Sequence, residues 1–326
     1  MTDSDRALHP AVEATAEDIA TMETRGAATI ADAAAAALQE QAEASDAADS
    51  AAFRAEMRAA ARRLRNTRPT AVSLPNALRY VLKEMAGETV AGLRRSVVAG
   101  AAEFREQLDE AQERLGRVGA NRLQDGDTVM CHCHSTDALS CVEAALDQGK
   151  DLEAVVKETR PRKQGHITAR QLRERDVPVT LVVDSAARRY LDDVDHVLVG
   201  ADSIAADGGV INKVGTSGLA VNARERGVPV MVAAQTLKFH PDTMTGHTVE
   251  IEMRDEAEVL TDGERAEISG PDDPDLAVEN PAFDVTPPRY VDAIVTERGQ
   301  FPPESIVVLM RELFGEHSDV EPWERR

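Results

Sequence analysis

The chain has 326 residues, 42 % hydrophobic and only 3 % aromatic, which is enough for one large α/β domain and a smaller helical one with cores of Ala, Val, Leu and Ile. Its formal net charge of −21 repels nucleic acid, and only six of its 37 basic residues are lysines, a composition that reads as adaptation to high salt. No run of about 18 apolar residues is present to span a membrane, and the acidic N-terminus lacks the apolar stretch of a secretory leader. In chain order, residues 1–120 read as a helical domain. Residues 29–65 are rich in Ala, Glu, Gln and Arg without Gly or Pro, predicting a helix that Asn66-Thr67-Arg68-Pro69 breaks. A second helical stretch covers residues 75–115.

From residue 121 to 326 the pattern changes. Short β-branched runs at 128–132, 178–183, 196–200, 229–233 and 290–296 alternate with helix-like segments, the rhythm of βαβ units. The expected fold class is therefore α/β: a Rossmann-like parallel sheet with flanking helices, preceded by the smaller helical domain. Residues 254–282, acidic and punctuated by Pro and Gly, read as a surface excursion. Ligands of open parallel sheets bind beyond the carboxyl ends of the strands, where Cys133, Asp202 and the segment from Gln235 to Lys238 fall.

Three cysteines, Cys131, Cys133 and Cys141, crowd into eleven residues, which fits a reducing cytoplasm better than a disulfide framework. In Cys131-His132-Cys133-His134, strand alternation puts the two thiols on one face, and the spacing does not complete a zinc site. Cys133 is open to two readings: a buried structural thiol, or a thiolate whose pKa the neighbouring histidines and a helix N-terminus lower. Asp202 is either the N-cap of a following helix or a general acid raised in pKa by burial. Residues 208–218 hold four glycines around Asn212 and Lys213, read either as a phosphate cradle or as a tight turn. Arg25, Arg68, Arg160, Lys213 and Lys238 are candidates for a basic pocket, while His196 and His247 read as packing or surface residues.

Together, Arg25-Gly26-Ala27, Arg68-Pro69-Thr70-Ala71, Val199-Gly200-Ala201-Asp202, Ile211-Asn212-Lys213-Val214-Gly215-Thr216, Lys238-Phe239 and Phe283-Asp284-Val285-Thr286-Pro287-Pro288 resemble one ordered set. It is that of the superfamily of initiation factor 2B regulatory subunits and aldose-1-phosphate isomerases. Cys133 with Asp202 is similar to the catalytic pair of the branch that converts ribose 1,5-bisphosphate to ribulose 1,5-bisphosphate. The resemblance implies Cys133 as base, Asp202 as acid, and substrate contacts from Arg25, Gly26, Ala27, Ala28, Arg68, Asn212, Lys213 and Lys238. Ala28 departs from the glycine of the pattern. Neither metal nor organic cofactor is implied. A homo-oligomer (dimer or hexamer) and a place in nucleoside monophosphate salvage are. The competing readings are a non-catalytic initiation-factor-like sensor, and an isomerase of another aldose 1-phosphate such as methylthioribose 1-phosphate.

Overall fold

The computed structural model describes residues 8–24, 26–68, 71–83, 85–241, 243–269, 273, 275–314 and 322–324. Its contacts divide the chain into two compact units: Met1–Ala111 with Leu237–Phe239 and Phe314–Arg326, and Gln112–Thr236 with His240–Leu313.

The first unit is helical: α1 (Pro10–Ala20), α2 (Ala27–Ala44), α3 (Ser50–Arg65), α4 (Ser73–Lys83) and the first two-thirds of α5 (Val90–Ala120). The single helix expected over 29–65 is two. Ser45 is extended, and the Asp49 carboxylate accepts from the Ala52 amide as the N-cap of α3, so the chain restarts there without Gly or Pro. The stretch at 75–115 is likewise α4 and α5, parted at Gly87 (φ +141°), a conformation that disfavours any side chain. Ile30, Leu38, Phe53, Met57, Leu64, Leu74, Leu78 and Leu93 make the core, joined by Trp323 near the C-terminus. Arg62 donates to the Trp323 carbonyl (2.7 Å), and Asn76 donates to the carbonyls of Leu237 and Phe239 (2.8 Å each), tying distant segments into this unit.

The second unit alternates strands and helices: β1 (Thr128–His132), α6 (Thr136–Asp147), β2 (Glu153–Lys157), α7 (Gly165–Glu174), β3 (Val179–Val182), α8 (Ala187–Tyr190), β4 (His196–Val199), β5 (Ser203–Ala205), β6 (Val210–Lys213), α9 (Thr216–Arg226) and β7 (Val230–Ala233). After β8 (Phe239–His240) come α10 (Asp262–Ile268), β9 (Phe283–Thr286), β10 (Ala293–Thr296), β11 (Gly299–Phe301) and α11 (Ile306–Phe314). Seven strands form one sheet in the order β11-β10-β7-β4-β1-β2-β3, parallel except for β11. Val129, Cys131, Val156, Leu198 and Met231 from its central strands pack with Leu139 and Val142 of α6 and Leu172 of α7. This is the α/β class with a parallel sheet that the strand rhythm indicates.

A second sheet, in the order β8-β5-β6-β9, was not foreseen. It is antiparallel between β5 and β6 and between β6 and β9. The excursion at 254–282 is hinged beside it. Met253 bridges Pro281, the Arg254 amide donates to the Asn280 carbonyl (2.9 Å), and the Ala282 amide donates to the Glu252 carbonyl (2.8 Å). Within the excursion, α10 begins with a reciprocal capping box between Thr261 and Glu264.

Candidate functional site

The sheet order reverses once. From β1 the chain winds outward through β2 and β3, and from β4 outward the other way through β7 and β10. β1 and β4 are neighbours, so the crevice past their carboxyl ends is the switch point where such sheets bind ligands. Cys131 pairs with Leu198, and just beyond these partners the chain delivers Cys133 on one side and Asp202 on the other. Gly200 follows β4, and a Cβ there would stand 2.2 Å from the hydroxyl of Ser135, the N-cap of α6, so a side chain at this position would displace that cap.

Strand alternation stops at His132. Cys131 packs in the core, where burial pushes its thiol up to about 12. Cys133 turns out of the strand with φ +69°, so the two thiols do not share a strand face as expected. The Cys133 backbone is held on both sides: its amide donates to Thr159 Oγ1 (2.8 Å) and its carbonyl accepts from Thr168 Oγ1 (3.0 Å). Thr159 is itself left-handed at φ +63°, unusual for a β-branched residue. Two such residues store strain on the order of 1–3 kcal/mol each, the kind found where geometry serves chemistry.

The expectation that neighbouring groups lower the Cys133 pKa is overturned. Burial raises the thiol to about 11, and the Asp202 charge adds to the rise, while the His134 amide, Lys213 and Arg254 pull it down without prevailing. His132 does not help, because burial and the Lys157 ammonium lower its ring to about 4 and leave it neutral. At rest Cys133 is a thiol. The N-cap reading of Asp202 also falls: no helix follows it, and the next residue opens β5. Its amide donates to the Ile211 carbonyl (2.9 Å), and the residue is exposed rather than enclosed in a dry site.

The glycine-rich segment serves three purposes. Gly208 and Gly209 make the β5–β6 hairpin, the bland alternative, with the Gly208 amide on the Ala205 carbonyl. Gly215 (φ +96°) opens α9, but two of the amides there are already taken: Asp284 accepts from Gly215 (2.7 Å) and Ser217 (3.1 and 3.2 Å). The anion at this helix end is thus the protein's own carboxylate. Between hairpin and helix, β6 presents Asn212, which donates to Thr216 Oγ1 (2.9 Å), and Lys213, whose ammonium donates to the Ala282 carbonyl (3.0 Å). Burial lowers the Lys213 pKa and Arg254 lowers it further, while Cys133 and Asp202 act in the opposite direction.

Cys133, Asp202, Asn212 and Lys213 therefore all belong to the second unit, and Cys133, Asp202 and Lys213 feel one another's charge. Arg160 belongs to this unit too and is exposed. Gly26, Ala27, Ala28, Arg68 and Lys238 belong to the first unit, where Gly26 (φ +89°) caps α2 and Ala27 and Ala28 begin it. Arg25 and the His247 side chain lie outside the described residues, and His196 pairs with Asp127 (3.3 Å). Among the described residues no three His, Cys, Asp or Glu side chains are grouped to hold a metal ion, and no helix is long and apolar enough to cross a membrane.

Three residues went unread in the sequence. Lys157 ends β2 almost fully buried, with its ammonium 3.3 Å from the Gly215 carbonyl and within reach of the charges of Asp184 and Asp284. Asp284 was visible only as part of a motif string, and Arg254 carried no periodic signal because it starts an irregular segment.

Residues 23–303 match the model of the initiation factor 2 subunit family. The chain is 73 % identical over 319 residues to a ribose 1,5-bisphosphate isomerase of Haloferax volcanii, covering 98 % of this chain and 97 % of that one. It is 72 % identical over 328 residues to the enzyme so described in Haloterrigena turkmenica, covering 99 % and 100 %. Among solved structures, a Pyrococcus horikoshii translation initiation factor eIF-2B superposes with a TM-score of 0.76 at 29 % identity, over 92 % of this chain and 100 % of that one. With the family model spanning most of its length and these relatives alike end to end, the chain belongs to the initiation factor 2 subunit family.

Proposed function

We infer that the protein isomerises α-D-ribose 1,5-bisphosphate to D-ribulose 1,5-bisphosphate; its relatives in Haloferax volcanii and Haloterrigena turkmenica are described as ribose 1,5-bisphosphate isomerases. The observation that carries the reading is the delivery of Cys133 and Asp202 past adjacent strands at the switch point, beside Lys213. A sensor of sugar phosphates needs the cations but not an acid–base pair.

The phosphate on C1 blocks spontaneous ring opening, so the reaction needs a proton delivered to the ring oxygen and one removed from C2. The Asp202 charge is felt at Cys133, whose proton is held on sulfur at rest. Lys213 and Arg254 favour its departure from Cys133, and in this reading Asp202 accepts it. In this reading the transfer creates base and acid together: the thiolate takes the C2 proton as the C1–O bond of the ring breaks, and Asp202 protonates the departing oxygen. The resulting enediol phosphate loses its O2 proton to Asp202 and receives the carried proton from Cys133 at C1. Both groups end as they stood after the transfer, and no net oxidant or proton is consumed. Each contributes on the order of 10²–10⁴-fold.

Cys133→Ser and Asp202→Asn should each lower kcat by about that factor or more while KM changes little. Wild-type kcat in both variants would remove the pair from the mechanism. Substrate contacts from Arg25, Gly26, Ala27, Ala28, Arg68, Asn212, Lys213 and Lys238 complete the reading. The protein acts in the cytoplasm as a closed homo-oligomer, dimer or hexamer, supplying nucleoside monophosphate salvage.

A further inference from the structure

Within the second unit, Lys213 is not the sole cation near Cys133. The Lys213 ammonium stands 5.0 Å from the centroid of the Phe283 ring, and the Arg254 guanidinium stands 6.0 Å from that same ring. Arg254 is largely enclosed, with 11 % of its side chain exposed, and its Nε donates to Glu252 (3.3 Å). Its position is set by the two-stranded base of the 254–282 excursion, where its own amide is bonded to Asn280. The excursion is also tied to the loop after β2. Arg162 from that loop, the one that holds Cys133 through Thr159, makes a two-point contact with Glu258 (2.5 and 2.8 Å).

Two like charges held against one aromatic ring repel each other, and the Lys213 ammonium is destabilised by Arg254 as well as by burial. A dianion between them would relieve that repulsion. A guanidinium offers the planar fork that grips phosphate at two points, and an ammonium adds a compact charge. Asp284 occupies amides at the α9 N-terminus, and the cations acting on Cys133 are these two side chains.

We propose that Arg254 is a substrate-binding residue which, with Lys213 and against Phe283, grips a phosphate of the substrate beside Cys133. This deepens the isomerase reading and rests on it for the identity of the substrate. The 254–282 excursion then has a role: it carries this arginine into place, and Glu252 holds it there until the phosphate arrives.

The test combines steady-state kinetics on ribose 1,5-bisphosphate with a readout that needs no turnover: protection of Cys133 from iodoacetamide by inorganic phosphate, followed by peptide mass. Arg254→Gln should raise KM by about 10- to 100-fold with a smaller change in kcat, and raise the half-protecting phosphate concentration by a similar factor. Arg254→Lys should recover part of both. Glu252→Gln, which frees Arg254 from its internal partner, should lower the half-protecting concentration. It reads the same contact with the opposite sign should the arginine variant fold poorly. Turnover by the wild type, with unchanged KM and protection in Arg254→Gln and no change in Glu252→Gln, would overturn the assignment of Arg254 alone. Arg254-dependent protection in a wild type that does not isomerise ribose 1,5-bisphosphate would uphold the phosphate grip and overturn the substrate.

Discussion

His132 sits enclosed between the Val214 carbonyl (2.9 Å from Nε2) and the Thr159 hydroxyl (3.3 Å from Nδ1), with the Lys157 ammonium close by. Its folded pKa of about 4 lies below that of an unfolded histidine, so between pH 6.5 and 4 the unfolded chain binds the extra proton. Stability from this residue is complete above pH 6.5 and is lost as pH falls through that window, by about 3 kcal/mol in all. NMR of the ring should show no titration down to about pH 5, whereas a midpoint near 6.5 would refute the enclosure. The buried thiols act at the other end. Cys131 and Cys133 hold their protons to about 12 and 11, above the unfolded value near 9, so the folded state should lose stability as pH rises above about 9. A urea midpoint that does not fall between pH 8 and 10 would contradict this. Cys133 and Asp202 were legible as candidates because each follows a short β-branched run and falls into a motif. Their protonation was not, since it depends on how deeply each is buried, and one residue lies buried while the other is exposed.

Among the elements, α9 depends on a residue 67 to 69 positions away: Asp284 of β9 accepts from its first amides. Asp284→Ala would leave those donors without their carboxylate and should cost about 1–3 kcal/mol, read from urea unfolding. A loss under about 0.5 kcal/mol would mean water replaces the carboxylate freely. Asp49→Ala, which removes the N-cap of α3, should cost about 1 kcal/mol. The parallel strands were readable because central strands buried on both faces appear as unbroken apolar runs, as in Val-Met-Cys and Val-Met-Val-Ala. β2 escaped because Glu153 and Lys157 bracket only three apolar residues. The antiparallel sheet escaped for another reason. β5 spans three residues, and the paired strands β6 and β9 are separated by some 70 residues, so pairing rather than local pattern defines the sheet. The split of α2 from α3 was available in Ser-Asp-Ala-Ala-Asp at 45–49, whose Asp49 is a preferred N-cap type.

For the whole molecule, a charge of −21 over 326 residues sets the conditions under which everything else holds. The screening length shrinks from about 10 Å at 0.1 M salt to about 3 Å at 1 M, and self-repulsion of the compact state shrinks with it. Raising KCl from 0.1 to 2 M should therefore raise the unfolding temperature by at least about 5 °C, and a fall would show that attractive ion pairs dominate the surface instead. Activity belongs in the same high salt. The most direct test of the account is a proton NMR time course of the purified protein with ribose 1,5-bisphosphate in high-salt D₂O. Ribulose 1,5-bisphosphate should appear with the wild type and not with Cys133→Ser or Asp202→Asn. Saturable binding of the bisphosphate without any conversion by the wild type would contradict the account, and leave the crevice between β1 and β4 a sensor rather than an active site.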